Sequence, residues 1–192
     1  MDQLIDDMLV LSRLHQEDGK TEMVDLNNVL GKAKNKLKDQ IELKHVVIEN
    51  EELPVLKGSS DQLFYLFFHL LGNAIKFQNN DIIPKISIHA EKLDTVAIGQ
   101  LTSADRSYWR IAFIDNGIGF EQQNATRIFQ IFQRLHGNHE FPGTGIGLSI
   151  CRKVMENHGG VIEAVSREGE GATFYCYFPV EKNIEQGTRN NE

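Results

Sequence analysis

Two glycine-rich stretches organise this sequence: Asp115-Asn116-Gly117-Ile118-Gly119 and Gly143-Thr144-Gly145-Ile146-Gly147-Leu148. The first follows a predicted strand at 108–114, so Asp115 stands at a strand end beside glycines that allow a close approach of the backbone. A carboxylate in this position can accept a hydrogen bond from the exocyclic amine of a planar base. The same residues also describe a plain Asp-Asn-Gly turn, and the stretch alone does not separate the two interpretations.

The second stretch precedes a predicted helix at 146–158. Its alternate glycines expose backbone N–H groups beside a helix N-terminus, which is an arrangement that binds phosphates. It is not a P-loop, because the Lys-Ser/Thr pair is absent. It is not a Rossmann fingerprint either, because Phe141-Pro142 precedes it in place of a strand. Taken alone, the glycine pattern is a weak indication of a phosphate site.

A third informative stretch lies in a predicted helix at 60–77, which is apolar on nearly every side and should therefore be buried. His69, Asn73 and Lys76 are spaced so that they share one face of this helix. An amide oxygen can ligate Mg²⁺, and an ammonium group can bind a phosphate. The alternatives are a solvated helix edge and, for His69, a packing role.

The remaining pattern predicts the fold class. Helices and strands follow one another without regular βαβ alternation, and hairpins stand beside helix-rich stretches. We therefore expect an α+β two-layer sandwich with a mixed, largely antiparallel sheet. The further expected helices are 1–15, 25–43 with Asp25 as N-cap, and a short one at 121–132. The further expected strands are 46–48, 85–90, and a final hairpin of 161–166 with 172–178, while 54–58 and 94–106 are expected to be connections.

The composition excludes several classes of protein. A net charge of −7 argues against a nucleic-acid partner, since such proteins usually carry a basic surplus. The two cysteines form no C-x-x-C pair, and buried free thiols are the plain interpretation. No apolar run is long enough to cross a membrane, and no signal peptide pattern opens the chain. We expect a cytoplasmic chain, whose parent protein could still be membrane-anchored.

In order and spacing, the three stretches resemble the N, G1 and G2 boxes of the sensor histidine kinases of two-component systems. Residues 128–136 resemble the F box of that family, and 169–174 resemble its last glycine motif. The resemblance covers about 25–179 and is greatest to the phytochrome-like and hybrid kinases. These kinases share the Bergerat ATP-binding fold with gyrase-type ATPases. The resemblance therefore implies that fold, with ATP and Mg²⁺ as cofactors.

The resemblance also implies roles for individual residues. His69, Lys76 and Arg134 would serve catalysis, and Asn73 would ligate Mg²⁺. Lys76 and Asn73 would also contact the nucleotide, whose adenine amine would be bound by Asp115. The other implied nucleotide contacts are Phe77, Gly117, Ile118, Gly119, Phe129, Gly143, Thr144, Gly145, Gly147, Leu148 and Thr173.

Position 69 discriminates between members of this superfamily. Gyrase-type ATPases carry there a glutamate that activates water, whereas this chain has His69. Without that base, attack by water should be poor, and the γ-phosphoryl group would be kept for a protein acceptor. A gyrase- or chaperone-like ATPase module is the alternative from another class, and a degenerate nucleotide-binding regulator is a third.

The N-terminal segment 1–20 resembles the end of the second helix of the kinase dimerisation hairpin, with 21–182 as catalytic domain and 183–192 as a disordered tail. The acceptor histidine box of that hairpin is not found in this sequence, so we expect no autophosphorylation by the chain alone. The implied partners are an acceptor-histidine hairpin and a response regulator receiver domain. A weak homodimer through Leu4, Met8 and Leu11 is a further possibility.

Overall fold

The computed structural model describes residues 2–16, 21–79, 81–94, 96–98, 101–103, 107–135 and 141–180. Its helices are α1 (Asp2–Gln16), α2 (Leu26–Lys36), α3 (Lys38–Leu43), α4 (Ser60–Lys76) and α5 (Gly147–Asn157). Its strands are β1 (Glu22–Asp25), β2 (Val47–Asn50), β3 (Val55–Gly58), β4 (Lys85–Leu93), β5 (Val96–Ile98), β6 (Leu101–Ser103), β7 (Tyr108–Asp115), β8 (Val161–Arg167) and β9 (Gly171–Pro179).

A five-stranded sheet in the order β2-β4-β7-β9-β8 carries the fold. The β2–β4 pair is parallel, and the other three pairs are antiparallel. In the central strand β7, Ile111 and Phe113 are buried against the helices, and the Phe113 ring meets that of Phe67 from α4 edge-on at 5.0 Å. The predicted α+β two-layer sandwich with a mixed, largely antiparallel sheet is confirmed.

Helix α4 is the centre of the helical layer. Six of its apolar side chains are at most 1% exposed: Leu63, Leu66, Phe67, Leu70, Leu71 and Ile75. They leave one partly accessible face, which carries the three polar residues singled out in the sequence. The helix ends at Phe77, whose N–H donates to the carbonyl of Asn73. Because α4 is fixed by its core face, the direction of its polar face is fixed as well.

Four sequence predictions were wrong. The expected connection 94–106 contains two short strands, β5 and β6, which pair with one another antiparallel. The expected helix 25–43 is interrupted at Leu37, which leaves helical geometry while its N–H bonds back to Ala33 and Lys34 in a tightened last turn. The expected connection 54–58 contains β3, which pairs with β1; four-residue strands are too short to show a clear period. The expected helix 121–132 is two short 3₁₀ turns at Gln122–Asn124 and Arg127–Phe129. The predicted N-cap at Asp25 is confirmed, since its carboxylate accepts from the Asn27 N–H at 2.8 Å.

Helix α1 packs beside α5. Leu14 is 5% exposed, and its carbonyl accepts from Asn157 Nδ2 at 3.0 Å. The stripe proposed for a homodimer is divided, because Leu4 and Met8 are exposed whereas Leu11 packs against the core.

Within the described ranges, no helix is long and apolar enough to cross a membrane. The expected disordered tail 183–192 and the end of the F-box stretch, residue 136, lie outside the described residues.

Candidate functional site

One cleft, of about 580 Å³, opens between α4, the end of β7 and the second glycine stretch. Its size falls in the range of about 300–1,000 Å³ that is usual for small-molecule sites. Most of the residues singled out in the sequence line it together: His69, Asn73, Lys76, Phe77, Asp115, Gly119, Arg134, Gly143, Thr144, Gly145, Gly147 and Leu148.

Asp115 forms the inner end of the cleft. One carboxylate oxygen, Oδ1, accepts from the N–H groups of Gly117 at 2.8 Å and Ala172 at 3.2 Å. The second oxygen makes no hydrogen bond within the described part of the chain. Burial raises the pKa of Asp115 to about 6, against the opposing effect of the two backbone N–H groups. The carboxylate is thus held by one oxygen and offers the other as an acceptor.

The glycines beside Asp115 are required by close backbone packing. A Cβ at Gly117 would lie 2.3 Å from the carbonyl oxygen of Phe77. Gly119 has a φ of 61°, and a Cβ there would lie 2.1 Å from the carbonyl oxygen of Arg167. Between them, Ile118 donates its N–H to Phe77 O and accepts from the N–H of Gly169. This short loop is therefore clamped on both sides, and Asp115 is fixed with it.

Four of the predicted nucleotide contacts do not line the cleft: Gly117, Ile118, Phe129 and Thr173. Ala172 and Phe174 line it, so Thr173 between them lies on the opposite face of β9. Phe129 lies behind the wall, where its ring meets that of Phe174 edge-on at 6.3 Å. Alternation along β9 is visible in the sequence and could have excluded the Thr173 side chain.

The polar face of α4 forms the floor of the cleft. Burial lowers the pKa of His69, and the nearby Asp7 carboxylate opposes that change. The His69 ring lies close to the second glycine stretch, because a Cβ at Gly147 would be 2.9 Å from its Nδ1. The side-chain amide of Asn73 makes no hydrogen bond with any other described residue. Its oxygen is therefore available to a ligand.

Two cations lie at the outer end of the cleft. Lys76 Nζ would be 2.5 Å from a Cβ at Gly143, and it lies 4.5 Å from the centre of the Phe77 ring. Burial lowers the pKa of Lys76, and the charge of Arg134 lowers it further. The Arg134 guanidinium donates to the carbonyl of Phe141 at 2.7 Å. Two like charges that interact in one cleft favour the binding of an anion beside them.

The second glycine stretch leads into the N-terminus of α5. The first N–H groups of a helix have no partner within the helix. Gly145 has a φ of 73°, and its carbonyl accepts from the N–H of Phe132 at 3.0 Å. Thr144 Oγ1 accepts from the Ile146 N–H at 3.3 Å and donates to Asp7 of α1 at 2.6 Å. The Thr144 hydroxyl is thus already bound within the protein.

Several residues that line the cleft are not predicted from the sequence. The most informative are Asp7, Gln78 and Phe141. Phe141 packs its ring 5.0 Å from that of Phe77, a long-range contact that a local pattern does not contain. The Oε1 atom of Gln78 is buried with no hydrogen-bond partner among the described residues. Asp7 reaches the cleft only through the packing of α1 on α5, for which a local pattern has no signal.

The chain is similar in sequence to two cyanobacterial proteins of the phytochrome type. Cyanobacterial phytochrome A of Nostoc sp. is 38% identical over 196 residues, which cover all of this chain and 24% of that protein. The phytochrome-like protein Cph1 of Synechocystis sp. is 38% identical over 180 residues, covering 94% of this chain and 22% of that protein. The chain therefore spans about a quarter of the length of these relatives.

Solved structures share the fold. The mycobacterial sensor histidine kinase MprB superimposes with a TM-score of 0.68 at 20% identity, covering 83% of this chain and 97% of that chain. Full-length ShkA in complex with AMPPNP superimposes with a TM-score of 0.70 at 23% identity, covering 92% of this chain and 35% of that chain. Residues 58–182, more than half of the chain, match one family along their whole length. The chain belongs to the histidine kinase-, DNA gyrase B- and HSP90-like ATPases.

Proposed function

We propose that this chain is the ATP-binding catalytic domain of a two-component sensor histidine kinase, and that it transfers the γ-phosphoryl group of ATP to a histidine on a dimerisation hairpin. One observation carries the proposal. A single cleft joins a carboxylate with a free oxygen, a pair of cations and a glycine-rich helix N-terminus. These are acceptors and donors for the two ends of a nucleoside triphosphate.

The polarity of the cleft orients the nucleotide. The free oxygen of Asp115 accepts from the adenine amine at the inner end. The phosphates lie at the outer end, where Lys76, Arg134 and the N–H groups at the start of α5 meet. The aromatic rings of Phe77 and Phe141, which pack against each other, also line the cleft. The charge distribution therefore favours only one direction of binding.

Asn73 is the protein ligand that fits Mg²⁺. No group of three or more histidine, cysteine or acidic side chains in the described residues could hold a metal ion by itself. Mg²⁺ commonly keeps several waters and takes one or two protein oxygens together with substrate phosphates. The free amide oxygen of Asn73 matches that requirement. When bound, Mg²⁺ would neutralise phosphate charge during transfer.

The reaction breaks the bond between the γ-phosphorus and the bridging oxygen of ATP and forms a bond to an imidazole nitrogen, with ADP as leaving group. The chain contributes positioning and charge neutralisation. Lys76 and Arg134 offset the charge of the phosphates, and the clamped loop holds the base. At position 69, a histidine with a lowered pKa replaces a carboxylate base, so transfer to a protein acceptor is favoured over transfer to water.

Isothermal titration with Mg·ATP tests the binding part of the proposal. Binding should be lost in Asp115→Ala and kept in Asp81→Ala, which removes an exposed carboxylate outside the cleft. Retained affinity in Asp115→Ala would refute the assignment of the adenine end.

Transfer is tested by mixing the chain with labelled ATP and an acceptor hairpin from a related kinase. Acid-labile label on the hairpin supports the kinase assignment, and passage of the label to a response regulator receiver domain supports the partner assignment. Phosphate release to water without labelling of the hairpin would favour the ATPase alternative instead.

A further inference from the structure

A carboxylate from outside the matched family region enters the phosphate end of the cleft. Asp7 lies in α1, yet it is only 8% exposed and lines the same cleft as Lys76 and Gly143. Among the described residues that line this cleft, Asp7 and Asp115 are the acidic ones. No salt bridge to Asp7 is found in the described part of the chain.

The contacts of Asp7 connect it to the N-terminus of α5. Thr144 donates its hydroxyl to Asp7 Oδ2 at 2.6 Å, and the same hydroxyl accepts from the Ile146 N–H. Thr144 stands between two glycines of the phosphate-binding stretch. A helix N-terminus attracts negative charge, and here that charge is supplied by Asp7 through one hydroxyl. The protein's own carboxylate thus lies beside the glycine stretch that we assign to the phosphates.

We propose that Asp7 weakens nucleotide binding by its charge, and that docking of α1 on α5 and binding of the phosphates therefore oppose each other. The inference rests on the proposed function. A triphosphate brings several negative charges to the end of the cleft where Asp7 is buried, and the dielectric screening there is weaker than in bulk water. Asp7 and the phosphates would lie beside the same glycine stretch, where their like charges repel each other.

The coupling must act in both directions. If docked α1 lowers the affinity for the nucleotide, bound nucleotide weakens the docking of α1 by the same factor. Because Leu14 and Asn157 hold the other end of α1, loss of the Asp7 contact would loosen one end of the helix first. Whatever moves α1 in the parent protein would thereby adjust nucleotide affinity, and the nucleotide would report back on the position of α1.

The first experiment compares Asp7→Asn with Asp6→Asn in the full chain. Asn at position 7 keeps an oxygen that can accept from Thr144 but removes the charge, whereas Asp6 is exposed on the same helix and its loss changes the net charge equally. Mg·ATP affinity is measured at fixed ionic strength, and thermal unfolding verifies that each variant is folded. We expect tighter binding by about 5-fold or more in Asp7→Asn, which is the lower end of usual coupling between sites. Asp6→Asn should stay within roughly twofold of the parent chain.

Equal or weaker binding of Asp7→Asn would overturn the inference, as would an equal gain in Asp6→Asn. Inorganic tripolyphosphate, tested in the same way, separates this outcome from failure of the proposed function. If Mg·ATP binds to neither chain but tripolyphosphate binds more tightly to Asp7→Asn, the nucleotide assignment fails and the inference holds. If tripolyphosphate also binds to neither, both fail.

Hydrogen exchange supplies the reciprocal test. Saturation with Mg·ATP should accelerate exchange of the amides of α1 in the parent chain, and less so in Asp7→Asn. Unchanged or slower exchange of α1 in the parent chain would contradict the proposed opposition.

Discussion

Replacing Asp115 by asparagine should make the nucleotide-free chain more stable at neutral pH. The carboxyl is buried and its pKa is raised from 3.8 to about 6, so its ionised form is unfavourable in the folded protein. That change corresponds to about 3 kcal/mol, since each pH unit is worth about 1.4 kcal/mol. Asparagine keeps the oxygen that accepts from Gly117 and Ala172 but removes the charge.

The raised pKa also determines whether the free energy of unfolding rises or falls with pH. Between about pH 4 and 6 the folded chain holds a proton that the unfolded chain releases, so the free energy of unfolding falls as the pH rises through that window. Asp115→Asn lacks this loss. Relative to the parent chain, it should gain about 2–3 kcal/mol at pH 7.5, and the gain should shrink toward zero near pH 4.

Urea unfolding followed by circular dichroism, without nucleotide, measures the effect over this pH range. The dependence on urea should be the same for both chains, so that the midpoint alone reports stability. Asp81→Asn, an exposed carboxylate outside the cleft, is the matched control and should show no comparable gain. A variant that is no more stable at pH 7.5, or a gain that does not shrink in acid, would refute the argument. The same variant should bind Mg·ATP weakly, because the amide offers a donor where the adenine amine needs an acceptor.

Three further changes probe other parts of the site and core. Lys76→Met should weaken Mg·ATP binding in a titration at least about tenfold, since a hydrogen bond to a charged group contributes about 1.5–3 kcal/mol; unchanged affinity would remove Lys76 from the phosphate end. Gly119→Ala should lower the free energy of urea unfolding by at least about 2 kcal/mol, because of its positive φ and the contact with Arg167 O. The matched Gly31→Ala, in α2 with open space around it, should raise stability by about 0.5–1 kcal/mol, and similar effects of the two would contradict the clamp. Burial lowers the pKa of His158. The Nε2 atom of its neutral ring accepts from the Ser59 N–H, and Nδ1 bonds to the Val154 carbonyl in α5. Stability should therefore fall as the pH drops below the ordinary pKa of histidine, and less steeply in His158→Gln; parallel pH profiles in urea unfolding would contradict this role.

The elements that the sequence predicts well are the long ones, because several repeats of their hydrophobic period are visible. Helix α4 shows its buried face over 17 residues, and its polar positions follow from that face. The strand ending in Asp115 has eight residues, enough for its apolar and β-branched character to be clear in the sequence. Strands β1 and β3 have four residues each and are stabilised by pairing with one another, which a local pattern does not contain.

The candidate site divides in the same way. Residues 69, 73 and 76 were grouped correctly because one helix carries them all. The position of Asp7 depends on how α1 packs on α5, and that packing is a tertiary event. The sequence predicts Gly119 as a nucleotide contact, whereas its tightest contact in the structure is with the backbone carbonyl of Arg167. Local sequence patterns thus predict which residues line the cleft better than they predict the packing behind it.

The fixing of α1 at both ends has a mechanical consequence. Asp7 and Leu14 lie almost two helical turns apart; Asp7 bonds to Thr144, just before α5, and Leu14 bonds to Asn157 at the end of α5. A helix advances about 1.5 Å and turns about 100° per residue, so rotating α1 by a single residue position would swing the carboxylate out of the cleft. Rotation of the N-terminal helix by one residue position would thus remove one negative charge from the cleft.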